Sequence, residues 1–217
     1  MAPSEVVKVV KVVLLACGSF NPPTKRHVDL FELARTELEK LGYDVCGRYM
    51  SPVHDGYKKP GLVDASHRVT MCEMATKGTD IVVDPWESQQ DEYQPTLKVL
   101  LHVLQSLHAD TRVMLLCGAD LLESMTDSTK WPVKDIHELL STFGVVCVCR
   151  NGTDLDEMLS SGILATYREN IIPVLDEDPG SVSSSMVRAR VKEQQQIDAL
   201  VHPSVNAYIV EKNLYKT

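Results

Sequence analysis

The chain has 217 residues, 44% of them hydrophobic and 24% charged, with a formal net charge of −8. This length suits one α/β domain, with or without a small C-terminal addition, and the composition supports a sizeable core and argues against disorder. The acidic balance argues against a duplex nucleic-acid binder but leaves room for small anionic ligands held by a few local cations. Cys17, Cys46, Cys72, Cys117, Cys147 and Cys149 show no zinc-like CxxC spacing, and several sit in apolar runs. They read as buried free thiols of a reducing compartment, not as structural zinc ligands or disulfides. Lys8 and Lys11 precede a short apolar run, but Lys11 interrupts it and Glu5 lies ahead of it, so a first strand with a short tail fits better than a signal peptide. No segment approaches transmembrane length.

In chain order, the first strand is expected at about Val7 to Ala16, apolar at its end as a central parallel strand should be. A tight loop, Gly18-Ser19-Phe20-Asn21-Pro22-Pro23-Thr24, leads into a helix over about His27 to Lys40, with Leu30, Phe31, Leu33, Ala34 and Leu38 in helical spacing. Strand 2 follows at Val45 to Met50, and a polar loop carries His54 to Gly61. A second helix is expected from Asp64 or Ala65 to Lys77, then a short strand, Ile81 to Val83. A third helix spans Thr96 to Leu107, and strand 4 spans Arg112 to Cys117. Beyond Gly118-Ala119-Asp120 the pattern gives a short helix at Leu121 to Met125, a loop with Trp131, and a helix from Val133 to Thr142. Strand 5 is Val145 to Cys149, a helical stretch covers Asp154 to Glu169, and strand 6 is Ile171 to Leu175. Serines 183 to 185 look like caps of a further helix, and a last helix covers Ser204 to Asn213 behind Pro203.

Strands alternating with helices imply a doubly wound, Rossmann-like parallel sheet with helices on both faces. One domain, 1–217, is expected, its helical C-terminal part being about 183–217. Ligands of such sheets bind past the carboxyl ends of the strands. The residues collected there are cations, loops rich in backbone donors, a histidine at a helix start and aromatic rings. They include no good nucleophile–base pair, which favours phosphate binding and positioning over covalent catalysis. The Gly18 to His27 loop has neither G-x-G-x-x-G nor G-K-[ST].

Thr24 and His27, three residues apart, can share one face of a first helical turn and bind one phosphate. A capping threonine with a surface histidine is the competing reading. Lys25 and Arg26 read as solvated charges, as do Lys58 and Lys59 taken as a bare pair. Phe20 reads as packing under the loop. Asp120 admits two readings, a ribose-binding carboxylate and a helix cap. Trp86, Tyr93 and Trp131 can stack on a planar base, with core packing preferred for Trp86.

The loop from Gly18 to His27 resembles the signature loop of the nucleotidyltransferase superfamily with its T/H-x-G-H-type motif. Ser183-Ser184-Ser185-Met186-Val187-Arg188 resembles that superfamily's second motif, I-S-S-T-x-x-R. Together with Ser51-Pro52-Val53, Tyr57-Lys58-Lys59, Trp86-Glu87-Ser88 and Leu115 to Ser124, they make the chain similar to eukaryotic nicotinamide/nicotinic acid mononucleotide adenylyltransferases from about Val12 to Tyr215. The resemblance implies direct attack of a mononucleotide phosphate on the α-phosphorus of ATP, giving NAD or its deamido form and pyrophosphate. It implies Mg²⁺ held by the ATP phosphates and by no protein side chain.

By motif match, His27, Lys59 and Arg188 would be catalytic. Gly18, Thr24, Gly118, Asp120, Ser185, Met186 and Val187 would join them in binding ATP. Ser19, Phe20, Tyr57, Tyr93, Thr96, Trp131 and Arg150 would hold the mononucleotide or the NAD product. The family also implies self-association. The thiols, the charge and the hydropathy lead to the expectation of an intracellular site, cytoplasm or nucleus, with neither nucleic acid nor membrane as partner. The alternatives are another superfamily enzyme of cytidylyltransferase type and a non-catalytic chaperone or binding role on the same fold. The chain departs from the family pattern at Asp29 (usually arginine), Tyr93 (tryptophan in animal relatives), Gly180 (a polar residue), Ser185 (threonine) and Met186 (lysine).

Overall fold

The computed structural model describes residues 9–150, 154–177 and 182–216; Gly180 and the side chain of Arg150 lie outside the described part. Six strands form a single parallel sheet: β1 (Val10–Gly18), β2 (Tyr43–Pro52), β3 (Ile81–Val83), β4 (Thr111–Gly118), β5 (Val145–Arg150) and β6 (Ile171–Asp176). Their order is β3-β2-β1-β4-β5-β6, so the direction of winding reverses between β1 and β4. The central strands are apolar on both sides because both faces are covered. Val12 and Leu14 of β1 join Met114, Leu116, Val146 and Val148 beneath α1 (Lys25–Lys40). Val13 and Leu15 face the other way, with Leu115, Val145 and Cys147, under α3 (Thr96–Gln105) and α5 (Val133–Glu138).

Two further helices bracket these: α2 (Ala65–Ala75) and α4 (Ala119–Ser124). The helical stretch expected at Asp154 to Glu169 consists of α6 (Leu155–Met158), α7 (Gly162–Thr166) and a 3-10 turn, Arg168–Asn170. Gly162, at φ +65°, has a backbone state that an α-helix interior does not tolerate, so the run breaks there. Helix α8 (Ser184–Lys192) and helix α9 (Pro203–Glu211) close the chain. They bury Val187, Ile197, Val201, Val205 and Ile209 against Met71 and Ala75 of α2.

Several boundaries differ from expectation. β1 runs on to Gly18, β2 absorbs Ser51 and Pro52, and α1 begins at Lys25 instead of His27. Thr24 caps α1 from an extended conformation, so His27 is its third residue. α4 starts at Ala119 with Gly118 as its cap. Asp120 therefore lies inside the first turn, and the helix-cap reading of Asp120 is corrected.

Candidate active site

The winding reversal leaves a crevice past the carboxyl ends of β1 and β4, where chains from both halves of the sheet part. A cavity of about 240 Å³ opens there. Its walls come from the starts of three helices: Thr24, Arg26 and His27 of α1, Gly118, Ala119 and Asp120 of α4, and Ser183 and Ser184 of α8. Leu30, Val148, Asp176 and Val182 complete it. Helix starts present unpaired backbone N–H groups and positive dipole ends, so the combination favours a polyanion.

His27 is held in one chemical form. The Thr24 N–H donates to His27 Nδ1 at 2.9 Å, and the Thr24 hydroxyl lies 2.8 Å from the same nitrogen. A backbone N–H only donates, so Nδ1 carries no proton and the neutral ring bears its proton on Nε2. Burial lowers the pKa of the imidazole from 6.5 to about 4. Against it lies the edge of Phe20, ring centroids 5.2 Å apart. Phe20 is buried, as expected from the sequence, with its ring under Gly18: a Cβ on Gly18 would stand 3.2 Å from the ring. Phe20 itself sits at φ +42°, so the loop turns back over its own side chain.

Arg26 contradicts its reading as a solvated charge. Its side chain is only 12% exposed and is ion-paired with Asp176 at the end of β6, and both line the cavity. Lys25 beside it is exposed, its Nζ donating to the Asp198 carbonyl at 3.0 Å. The difference is helical geometry: adjacent residues point about 100° apart, and only one of the two faces the sheet edge.

Asn21 ties the loop down. Its amide nitrogen donates to the Gly61 carbonyl (2.7 Å), its oxygen accepts from the Tyr215 hydroxyl (2.8 Å), and its carbonyl accepts from Arg188 Nη1 (2.8 Å). Ser184 Oγ donates to the Pro22 carbonyl, bringing the start of α8 onto the same loop. Arg188 thus tethers α8 to the loop, with its second nitrogen 3.3 Å from Ser185 Oγ. Ser183 caps α8: its hydroxyl accepts from the Met186 N–H and its carbonyl from the Val187 N–H. The side chain of Val187 is wholly buried in the C-terminal cluster and Met186 packs on it. Both amides are taken by Ser183, and Val187 has no exposed side chain, while Met186 keeps a half-buried one.

A chain with this sheet, this loop and this pair of helix starts matches known proteins along most of its length. A family model described as cytidylyltransferase-like matches residues 15–190. A protein of Oryza sativa subsp. japonica named nicotinamide/nicotinic acid mononucleotide adenylyltransferase is 45% identical over 213 residues, spanning 94% of this chain and 86% of its own. The chain belongs to the nicotinamide/nicotinic acid mononucleotide adenylyltransferase family. A Bos taurus member, numbered 1, is 36% identical and spans 95% of this chain and 89% of its own. Among solved structures, the Plasmodium falciparum nicotinic acid mononucleotide adenylyltransferase complexed with NaAD aligns with a TM-score of 0.69 at 20% identity, covering 94% of this chain and 97% of that one. The likeness is one of fold: a doubly wound nucleotidyltransferase sheet.

Not every residue that the adenylyltransferase motifs single out lines the cavity. Thr24, His27, Gly118 and Asp120 do. Lys59 is exposed on the loop after the 3-10 turn Asp55–Tyr57. Tyr57 and Tyr93 stack at 5.9 Å and are both largely exposed, forming a separate aromatic ledge. Thr96 opens α3, and Trp131 packs on the core with its Nε1–H donating to Ser124 Oγ at 3.1 Å. Trp86 lies in core packing as expected, stacked on His102 at 4.1 Å. The Ser19 carbonyl accepts from Arg68, a buried arginine that also holds the Val53 and Val63 carbonyls and Asp55. Arg68, Arg26, Asn21 and Asp176 escape sequence reasoning. Only Arg68 leaves a sequence signal, a charge on the buried face of a helix at Ala65, Arg68, Met71, Cys72 and Ala75 spacing.

Proposed function

We propose that the chain joins ATP to nicotinamide mononucleotide or nicotinic acid mononucleotide, forming NAD or deamido-NAD and pyrophosphate. The observation that carries this reading is the cavity at the winding reversal, where the starts of α1 and α8 converge and His27 keeps Nε2–H as its available donor. An oxygen of the mononucleotide phosphate forms a bond to the α-phosphorus of ATP as the bond from that phosphorus to the bridging oxygen breaks, and pyrophosphate leaves. No enzyme nucleophile takes part. The protein supplies positioning and charge stabilisation, the main resources for such transfers. His27 donates to a phosphate oxygen as charge shifts, the positive dipole ends of α1 and α8 attract the triphosphate, and Asp120 accepts from ribose hydroxyls. The Tyr57–Tyr93 ledge and Trp131 are the flat surfaces offered to the pyridine end.

Among the described residues no group of three His, Cys, Asp or Glu side chains could hold a metal ion. Of the two carboxylates in the lining, Asp176 is paired with Arg26 and Asp120 is exposed, which fits Mg²⁺ that would arrive on the triphosphate and keep most of its waters. That ion would neutralise phosphate charge.

The test is a coupled assay of purified protein with ATP, Mg²⁺ and each mononucleotide. Formation of NAD or deamido-NAD is expected, and no product above background would sink the reading. CTP with a phospho-alcohol serves as the control, and turnover there instead would transfer the chain to the cytidylyltransferase type.

A further inference from the structure

The cavity lining is not uniform. Ser184 rests on the Pro22 carbonyl, so the starts of α1 and α8 meet beside Thr24 and His27. Gly118 and Asp120 follow β4, Val148 lies in β5 and Asp176 ends β6. Besides the helix starts, the lining consists of Leu30, one turn beyond Arg26 on α1, Val148, Val182 just ahead of α8, and the Arg26–Asp176 ion pair.

That part of the lining does not suit a phosphate. The charge of Arg26 is matched by a carboxylate only 4% exposed, which would repel a second anion. Apolar walls with one donor and one acceptor side by side instead suit a planar, uncharged base. The edge of adenine offers an exocyclic amino donor next to a ring-nitrogen acceptor. A carboxylate only accepts and a guanidinium only donates, so the pair is complementary to that edge. Resting on the adenylyltransferase reading above, we propose that Arg26, held by Asp176, is a base-specificity residue: Asp176 accepts from the adenine amino group and Arg26 donates to the adjacent ring nitrogen. The alternative is an ion pair that merely fastens α1 to β6.

The experiment compares ATP with ITP, in which a carbonyl replaces the amino group. The unmutated protein is expected to favour ATP in kcat/KM by about 100-fold, and Asp176→Asn to shrink that ratio at least about tenfold, because an acceptor-only partner becomes one that also donates. Arg26→Met is expected to raise the KM for ATP at least about tenfold while the KM for the mononucleotide stays within about twofold. A fastening role would not move the ATP:ITP ratio. An unchanged ratio in folded Asp176→Asn, or an unchanged KM for ATP in folded Arg26→Met, overturns the proposal. Should Arg26→Met fail to fold, Arg26→Lys keeps a cation but loses the planar fork, and the same KM test applies to it. Calorimetric titration of the unmutated protein with ATP and with ITP separates the two readings. If no adenylyl transfer is seen yet ATP binds more tightly than ITP, the activity fails and the base site stands; equal affinities overturn the base site even in an active enzyme.

Discussion

His27 gains its properties from three neighbours: the Thr24 amide fixes its tautomer, Phe20 fixes its ring, and burial keeps it neutral. In the ligand-free protein, nitrogen-detected NMR is expected to show the Nε2–H tautomer and a titration midpoint near 4. A midpoint near 6.5 would mean that the ring is solvated and not held as described. Glu87 is the converse case. It is buried with a single hydroxyl, Ser51 Oγ, donating to it at 3.0 Å, and desolvation raises its pKa from 4.5 to about 7. The native state therefore binds the Glu87 proton more tightly than the unfolded chain does, so this group costs stability progressively as pH rises from 4.5 to 7. Glu87→Gln keeps an acceptor for Ser51 without the charge. Its melting temperature relative to the unmutated protein is expected to be higher at pH 8 than at pH 4.5, and an equal difference at both would show that Glu87 ionises freely.

The element that matters most is the connection from β1 to α1. Its strand is apolar, its helix has a clear 3.6-residue stripe, and the loop between them is short, so the junction is legible in the sequence. What holds the loop is not legible. Asn21 meets Gly61, Tyr215 and Arg188, which lie 40, 194 and 167 residues away. No periodicity or spacing encodes such contacts. The β4–α4 junction shows the same division. Gly118 sits at an ordinary φ of −89°, so its value is not conformational. A Cβ there meets only the Val148 carbonyl, at 3.9 Å, which leaves the space above it to the cavity. Gly118→Ala is expected to change stability by no more than about 1 kcal/mol, the scale of a cap exchange. The same change should raise the KM for ATP several-fold. A large loss of stability with unchanged KM would reverse that assignment.

Across the whole molecule, the C-terminal 35 residues act as a buttress. α8 and α9 cover α2, Tyr215 reaches back to Asn21, and Ser184 and Arg188 grip the loop. Removing 183–217 would expose Met71 and Ala75 and leave the buried Asn21 side chain without its Tyr215 partner. The shortened chain is expected to lose both turnover and a cooperative thermal transition by circular dichroism, since buried polar groups without partners cost about 1–3 kcal/mol each on top of the lost apolar burial. A cooperative transition in that chain would show that the sheet stands alone and that the C-terminal helices serve the site only.

The sequence by itself determined the strand–helix alternation, and so the parallel sheet and the edge where ligands bind, because these follow from apolar periodicity and local turn chemistry. It also carried both phosphate motifs, 156 positions apart between His27 and Ser183 counted along the chain. Only the tertiary structure decided which charges face the cavity. Lys25 and Arg26 are adjacent and chemically alike, yet one points to solvent and the other meets Asp176 across the sheet edge. Likewise, Ser183 uses the Met186 and Val187 amides that the motif alone would offer to ATP. The physical reason is the same in both cases. Helix rotation and capping are set by packing against strands far away in sequence, and a one-dimensional pattern does not contain those partners.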